Sequence, residues 1–266
     1  MRMTPIAVTI AGSDSSGGAG IQADLKTFAA LGVYGASIIG ALTAQNTKGV
    51  TAIHDVPADF ITAQIDAVFS DLDVGAVKIG MLGNAAAIAA VAAGLERHRA
   101  RNVVLDPVLV ASTGEDLLRA DALDALRSLM SRARVVTPNL FEAGVLLDAA
   151  LAHDEDEMLA QGRRLLALGP AAVVMKGGHA GGLESPDLLV EPGGSTRFAA
   201  PRLETRNTHG TGCTFASAIA AGLAKGKELV EAVRDAKAYV SAAIAAADQL
   251  KIGAGHGPLH HFSKWW

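Results

Sequence analysis

The chain has 266 residues, of which 50% are hydrophobic and 19% are charged. This length and composition allow one large buried core, so an intrinsically disordered protein is excluded. The 23 basic and 27 acidic residues give a net charge of −4, which argues against a nucleic-acid partner. The one cysteine excludes an intramolecular disulfide and a cysteine-based zinc site, and is typical of a reducing compartment.

The longest uncharged stretch, residues 27–47, is not expected to cross a membrane. It is interrupted by Gly32, Gly35 and Gly40 and ends in polar residues, whereas a membrane span needs a more continuous apolar face. The N-terminal residues contain no Ala-x-Ala-like cleavage signal. We therefore expect a cytoplasmic protein without a membrane partner.

Strands and helices are predicted to alternate along the chain. Apolar, partly β-branched runs predict strands over residues 6–10, 36–42, 74–79, 102–105, 134–137 and 171–175. Helical spacing predicts helices over residues 21–31, with Gly32 as the cap beyond the end, and over residues 84–98, 120–130, 154–168, 212–224 and 228–250. Residues 192–194 separate two short runs and predict an antiparallel hairpin at the sheet edge. The alternation predicts an α/β fold with a mostly parallel central sheet and helices on both faces, forming a single domain over residues 1–266.

Polar or glycine-rich segments follow the predicted strands. They cover residues 12–14, 43–46, 80–82, 106–108, 137–142 and 176–178. Each segment alone is equally consistent with an ordinary loop. In open α/β sheets, however, ligands bind beyond the carboxyl ends of the strands, so their convergence on one edge predicts a binding site there.

The segment NTHGTGCTFASA, residues 207–218, carries the sharpest chemical signal. Gly210 and Gly212 precede a helix whose first N–H groups and dipole favour an anion, such as a transferring phosphoryl group. Cys213 lies in the first turn, where the same field is expected to lower the thiol pKa and let it accept a proton from a substrate hydroxyl. The alternative is a small buried cysteine that only packs. His209 is interpreted as a neighbour of the helix start rather than as a second base.

Seven motifs carry a resemblance that covers nearly the whole chain. They are GSDSSGGAGIQADLKTF, TAQNT, KIGML, DPV, TPNLFEA, KGGH and THGTGCTFASAIAAGLA, and the resemblance extends from about residue 6 to residue 262. Together they resemble the hydroxymethylpyrimidine/phosphomethylpyrimidine kinases of the ribokinase-like superfamily. The resemblance implies a three-layer ribokinase-like fold, a homodimer, and ATP with Mg²⁺. It also implies two successive phosphorylations of 4-amino-5-hydroxymethyl-2-methylpyrimidine for thiamine biosynthesis.

The resemblance places the pyrimidine near Gly12, Asp24, Gln45, Met81 and Val108. The Gln45 amide offers a donor and an acceptor suited to an aminopyrimidine edge. Met81 and Val108 are equally consistent with core residues, and a flat ring needs apolar walls. Asp24 is alternatively a solvated surface acid.

The resemblance also implies how the phosphates are held. From this resemblance and the chemistry of the residues together, we expect ATP and phosphate at Asn139, Lys176, Thr208 and Gly210, Mg²⁺ at Asp106 and Glu142, and catalysis by Gly210, Thr211, Gly212, Lys176 and Cys213. In this assignment residues 210–213 form the anion hole, Cys213 is the base and Lys176 neutralises phosphate charge. Asn139 and Glu142, three residues apart, also fit a helix capping box.

Three other functions remain open. A pyridoxal or pyridoxine kinase of the same superfamily would act on a similar ring, although the cysteine that some members carry in the lid is absent from residues 108–114. A nicotinamide-dependent oxidoreductase is disfavoured because residues 12–20 do not match G-x-G-x-x-G. A non-catalytic pyrimidine sensor would not need Lys176, Glu142 and Cys213 together.

Residues 112–115 are expected to close over the cleft.

Overall fold

The computed structural model describes residues 4–110, 114, 117–178 and 182–266. The strands are β1 (Ile6–Gly12), β2 (Tyr34–Asn46), β3 (Gly49–Asp55), β4 (Ala76–Ile79), β5 (Val103–Leu105), β6 (Val135–Val136), β7 (Val173–Lys176), β8 (Glu184–Glu191) and β9 (Gly194–Pro201). The α-helices are α1 (Gly20–Ala30), α2 (Ala58–Phe69), α3 (Ala85–Arg97), α4 (Leu123–Met130), α5 (Leu140–Leu147), α6 (Glu155–Leu166), α7 (Thr211–Ala224) and α8 (Leu229–Ala245). The expected lid over residues 112–115 lies outside the described residues except for Gly114.

All nine of these strands form one sheet, in the order β3-β2-β1-β4-β5-β6-β7-β8-β9. The six strands from β2 to β7 in this order are parallel, and β3, β8 and β9 are antiparallel at the two edges. The predicted mostly parallel sheet and its edge hairpin are confirmed. After β1 the chain adds β2 and β3 on one side of the sheet, and after β4 it adds the remaining strands on the other side. The strand order therefore reverses between β1 and β4, and open α/β sheets bind ligands at the carboxyl ends of the strands at such a switch point.

Helices cover both faces of the sheet. One hydrophobic cluster joins α2–α6 to strand residues such as Val8 and Ile79. A second cluster joins α1, α7 and α8 to residues such as Ala7 and Ala76. Successive side chains of a strand point to opposite faces, so the alternating runs of β1 and β4 serve both clusters and three layers result. Within the described chain, no helix combines the length and apolarity required to cross a bilayer.

Several predicted boundaries are wrong for identifiable reasons. β3 and α2 were not predicted, because most side chains of β3 are exposed and α2 buries only Ile61 and Ile65. β2 is longer than predicted because its second half leaves β1 and pairs with β3 as a ribbon. The helix predicted over residues 120–130 begins as a 3₁₀ turn, and the last long helix ends at Ala245 before another 3₁₀ turn.

Candidate active site

The turn before α7 is built around Gly210, which has a left-handed backbone with φ of 82°. A Cβ atom there would lie 1.9 Å from the Gly18 carbonyl oxygen, so only glycine fits. The backbone N–H and the hydroxyl of Thr211 both donate to the Thr208 carbonyl, at 3.2 and 2.7 Å. The helical ladder begins when Thr214 N–H donates to the Gly210 carbonyl. The N–H groups of the first turn therefore precede the ladder and face the carboxyl edge of the sheet, as an anion site requires.

Lys176, at the end of β7, lies against this turn. Its Nζ is 2.8 Å from Asp106 Oδ1 and 3.8 Å from Glu142 Oε2. A Cβ atom on Gly212 would lie 3.3 Å from Lys176 Nζ and 3.4 Å from Asp106 Oδ2, so the ion pair contacts the start of α7 directly. Burial lowers the pKa of Lys176, but the two carboxylates outweigh it and hold the pKa above its usual value. Lys176 is therefore a fixed positive charge beside the anion site.

Asn139 and Glu142 form the capping box that opens α5. The Asn139 side chain accepts from Glu142 N–H at 2.8 Å, and Glu142 Oε2 accepts from Asn139 N–H at 2.7 Å. The capping role and a site role coexist, because the buried Glu142 carboxylate also faces Lys176. Burial raises the pKa of Glu142 to about 7 against the opposing effect of Lys176.

Asp106 and Glu142 are the carboxylates available to Mg²⁺ at this position. Mg²⁺ binds through one or two carboxylates and completes its shell with water and substrate phosphates. Among the described residues, no group of three or more His, Cys, Asp or Glu side chains is arranged to hold a metal. The donor set therefore fits Mg²⁺ that arrives with a nucleotide, rather than a cage made of protein ligands alone.

The residues assigned to the pyrimidine gather on the other side of the turn. Gly12 N–H donates to the Met81 carbonyl at 3.2 Å, and a Cβ atom on Gly12 would meet the Met81 sulfur at 2.7 Å. The half-buried Gln45, near the end of β2, accepts at Oε1 from Thr43 Oγ1 at 3.1 Å. Val108 is half-buried just beyond β5. The structure thus offers an amide and apolar walls at the switch point, and the contact of these residues with substrate stays a prediction.

Asp14 joins the two halves of the site, a role that the sequence did not reveal. Its buried carboxylate accepts from the backbone N–H groups of Ser16, Gly18 and Ala19 at 2.8, 3.0 and 2.8 Å. It also pairs with His209 Nε2 at 2.8 Å. Burial acts to raise the pKa of Asp14, but these hydrogen bonds hold it well below its usual range. An aspartate followed by serines and glycines is a signal for this loop organisation.

Asp24 is neither a surface acid nor an open cleft residue. It is fully buried, and its oxygens accept from Thr9 Oγ1 at 2.6 Å, Lys78 Nζ at 2.9 Å and Ser217 Oγ at 2.7 Å. Burial raises the pKa of Asp24 although Lys78 opposes this. Asp24 has no exposed surface, so contact with the pyrimidine would require the groups that cover it to move.

Cys213 is half-buried in the first turn of α7. The expectation that the helix field lowers its thiol pKa is wrong, because burial raises the pKa of Cys213 to about 11. Lys78 acts in the opposite direction, while Asp24 and Asp106 add to the rise. A thiolate at Cys213 therefore has to be stabilised against the cost of its burial.

Phosphoryl transfer from a nucleotide to a small molecule is the chemistry that this edge of the sheet supports, since an anion site, a fixed ammonium and two carboxylates lie at the same edge as the Gln45 amide. The fold and the site define the class of small-molecule kinases with a ribokinase-like architecture. Within that class, the chain belongs to the phosphomethylpyrimidine kinase family, whose model matches residues 14–260.

The similar proteins and solved structures include phosphomethylpyrimidine kinases and a pyridoxal kinase. A protein of Rhizobium meliloti strain 1021 named hydroxymethylpyrimidine/phosphomethylpyrimidine kinase is 60% identical over 265 residues, which cover 99% of each chain. The crystal structure of Bacillus subtilis pyridoxal kinase with ADP has a TM-score of 0.91 and 36% identity, covering 98% of this chain and 99% of that one. A Clostridium difficile 630 phosphomethylpyrimidine kinase structure has a TM-score of 0.80 and 43% identity, covering 90% of this chain and 99% of that one.

Proposed function

We propose that the protein transfers the γ-phosphoryl group of ATP to the hydroxymethyl oxygen of 4-amino-5-hydroxymethyl-2-methylpyrimidine, and a second one to the resulting monophosphate. The main support is the contact between the turn before α7 and the Lys176–Asp106 ion pair. A Cβ atom on Gly212 would lie 3.3 Å from Lys176 Nζ and 3.4 Å from Asp106 Oδ2. The relative at 60% identity, which is named for this activity, supports the choice of substrate.

The first transfer needs charge stabilisation and a proton acceptor. The substrate hydroxyl oxygen attacks the γ-phosphorus, the bond from that phosphorus to the β-phosphate oxygen breaks, and ADP leaves. The N–H groups at Gly212 and Cys213 and the Lys176 ammonium stabilise the charge on the transferring group. Cys213 takes the proton released by the hydroxyl through its thiolate form, which is the minor form near neutral pH because burial raises the pKa of Cys213 to about 11.

Asp106 and Glu142 would hold Mg²⁺ together with the phosphates. When bound, the ion would neutralise phosphate charge and favour the ionised form of Glu142, whose pKa burial raises to about 7. Asn139 positions this carboxylate through the capping box. Thr208 holds the turn that faces the phosphates, because its carbonyl accepts both Thr211 donors.

The second transfer differs because its nucleophile is a phosphate oxygen. A phosphate monoester is already ionised near neutral pH, so this step needs no base to remove a proton. We expect Cys213→Ala to lower turnover of the first step by roughly 10² or more, with little change in ATP affinity. The same variant should lower turnover of the purified monophosphate by less than about tenfold.

Steady-state kinetics with each pyrimidine as the sole acceptor measure this difference. Near-wild-type turnover of the first step would remove Cys213 from the role of base. Equal losses in both steps would show that Cys213 shapes the anion site instead. Lys176→Met is the matched comparison, because it should impair both steps alike.

Pyridoxine is the competing acceptor, since two of the structural neighbours described as pyridoxal kinases have TM-scores of 0.91 and 0.89. Their identities to this chain are 36% and 32%, compared with 60% for the pyrimidine kinase of Rhizobium meliloti. We expect kcat/KM for the pyrimidine to exceed that for pyridoxine. A higher kcat/KM for pyridoxine would identify pyridoxine as the preferred substrate instead.

The chain is also proposed to act as one cytoplasmic domain and as a homodimer. One sheet carries the site residues at its carboxyl edge, which supports a single domain. Exposed Tyr34, Leu42, Ile53 and Phe60 lie on β2, β3 and α2 and offer apolar surface for a second copy. Light scattering should give twice the chain mass, and a monomer would contradict the dimer.

A further inference from the structure

Four fully buried polar side chains meet between the sheet and the α1–α7 layer. Thr9 of β1 and Lys78 of β4 are register partners on neighbouring parallel strands. Asp24 of α1 accepts from both, and from Ser217 of α7, at 2.6, 2.9 and 2.7 Å. Each of the four residues has a relative exposure of 0%. Lys78 and Asp24 therefore form an ion pair with no access to solvent, and a lysine or aspartate is seldom fully buried without such a partner.

This cluster lies one turn of α7 away from Cys213. Ser217 follows Cys213 by four residues on α7, so both side chains lie on the same helix face, one turn apart. Lys78 is the penultimate residue of β4, and a Cβ atom on Gly80 would lie 2.6 Å from its Nζ. The ammonium therefore reaches beyond its own strand position towards the carboxyl edge of the sheet, where Cys213 lies.

The charges that surround Cys213 come from α1, β4, β7 and the loop that follows β5. Lys78 lowers the pKa of the thiol, whereas burial, Asp24 and Asp106 raise it. Lys176, on the other side of the start of α7, also has an electrostatic attraction to the Cys213 thiolate. Burial would lower the pKa of Lys78, but the charges of Asp24, Cys213 and Asp106 together outweigh burial and keep the ammonium protonated. Lys78 is the largest of the charge effects on Cys213 and the first that favours a thiolate.

We propose that Lys78 is a positioning residue for the proton transfer: its buried ammonium, fixed by Asp24, stabilises the Cys213 thiolate. The thiolate takes the hydroxyl proton as the oxygen–phosphorus bond forms, and the resulting thiol returns that proton to water after the product leaves. Lys78 keeps its own proton throughout and touches no substrate. Asp24 then acts through Lys78, which accounts for a fully buried aspartate among the residues assigned to the pyrimidine. This inference rests on the proposed role of Cys213 as the base.

Cys213 is the chain's only cysteine, so thiol alkylation reports on it alone. The test measures the rate of alkylation by iodoacetamide against pH for the intact, ligand-free protein. Lys78→Met should raise the apparent pKa of Cys213 by about one unit or more, which slows alkylation at pH 8 by roughly tenfold. The double variant Asp24→Asn/Lys78→Met removes both buried charges, so no unpaired charge is left in the interior. It should also raise the apparent pKa of Cys213.

Lys237→Met is the matched control. Lys237 pairs with Asp187 at 2.8 Å, and both side chains are largely buried, so this variant also breaks an enclosed lysine–aspartate pair. Its alkylation profile should match that of the wild type. An unchanged apparent pKa in folded Lys78→Met, or in the double variant when the single one does not fold, would overturn the inference.

An equal shift in Lys237→Met would also overturn it, because loss of any buried pair would then have the same effect. The base role itself is tested separately by the first-step turnover of Cys213→Ala. If that turnover is normal while the Lys78 variants shift the alkylation profile, the proposed base fails and the electrostatic coupling stands.

Discussion

Gly210→Ala should separate the turn before α7 from the loop after β1. Gly210 has φ of 82°, and an added Cβ atom would lie 1.9 Å from the Gly18 carbonyl oxygen. The loop cannot retreat easily, because Gly18 N–H donates to buried Asp14 at 3.0 Å. The added methyl group must therefore displace the turn that carries the anion site.

The size of the effect follows from two contributions. A left-handed backbone costs a residue with a Cβ atom about 1–2 kcal/mol. Non-bonded carbon and oxygen atoms keep at least about 3 Å apart, so the turn must shift by about 1 Å from its 1.9 Å approach. A displacement of about 1 Å in a catalytic group costs roughly 10²-fold in rate. We expect kcat/KM to fall by that factor and the free energy of unfolding to fall by more than the backbone cost alone.

Gly226→Ala is the matched control at the other end of α7. Gly226 has φ of 80°, and nothing lies within 4 Å of its Cβ position, so this variant has the backbone cost without the clash. Urea unfolding and steady-state kinetics on both variants separate the two contributions. Gly226→Ala should lose about 1–2 kcal/mol and keep its kcat/KM. The reasoning is refuted if Gly210→Ala loses no more stability than Gly226→Ala and keeps kcat/KM within about twofold of wild type.

Three further perturbations test other parts of the site. Gln45→Ala should raise KM for the pyrimidine by roughly tenfold with little change in kcat, through the loss of two hydrogen bonds; an unchanged KM would place the pyrimidine elsewhere. Asp14→Asn should lower the free energy of unfolding by about 2 kcal/mol, because several hydrogen bonds lose their charged acceptor; an unchanged urea midpoint would contradict this. Burial lowers the pKa of His261 to about 4, below its ordinary value of 6.5, so this residue contributes stability that is present above pH 6.5 and lost as the pH falls towards 4. Between these pH values His261 lowers the free energy of unfolding by at most about 1.4 kcal/mol for each pH unit of acidification. In urea unfolding measured at several pH values, His261→Gln should therefore lose less stability between pH 6.5 and pH 4 than the wild type.

The central layers could be predicted from the sequence because their signals are local. Buried parallel strands such as β1 and β4 are short apolar runs, and the helices between them show regular apolar spacing. The ribbon of β2 and β3 could not be found this way. Its strands pair with each other beyond the core, and most of the β3 side chains are exposed, so no buried run marks it.

The site could be predicted wherever one segment carries its own chemistry. The glycine turn before α7 and the Asn139–Glu142 spacing are of this kind. The Asp14–His209 pair and the Lys78–Asp24 pair join residues that are 195 and 54 positions apart. Only folding brings them together, and the burial that results also reverses the expected direction of the Cys213 pKa. A sequence pattern does not report how much water a group loses on folding.

Mass spectrometry of the purified protein with Mg²⁺, ATP and 4-amino-5-hydroxymethyl-2-methylpyrimidine tests the central claim most directly. Samples taken over time should show the monophosphate first and then the diphosphate, with one ATP consumed for each phosphate gained. Pyridoxine offered in parallel should gain phosphate more slowly. A pyrimidine that stays unmodified, or that stops at the monophosphate under conditions where pyridoxine is phosphorylated, would contradict the account.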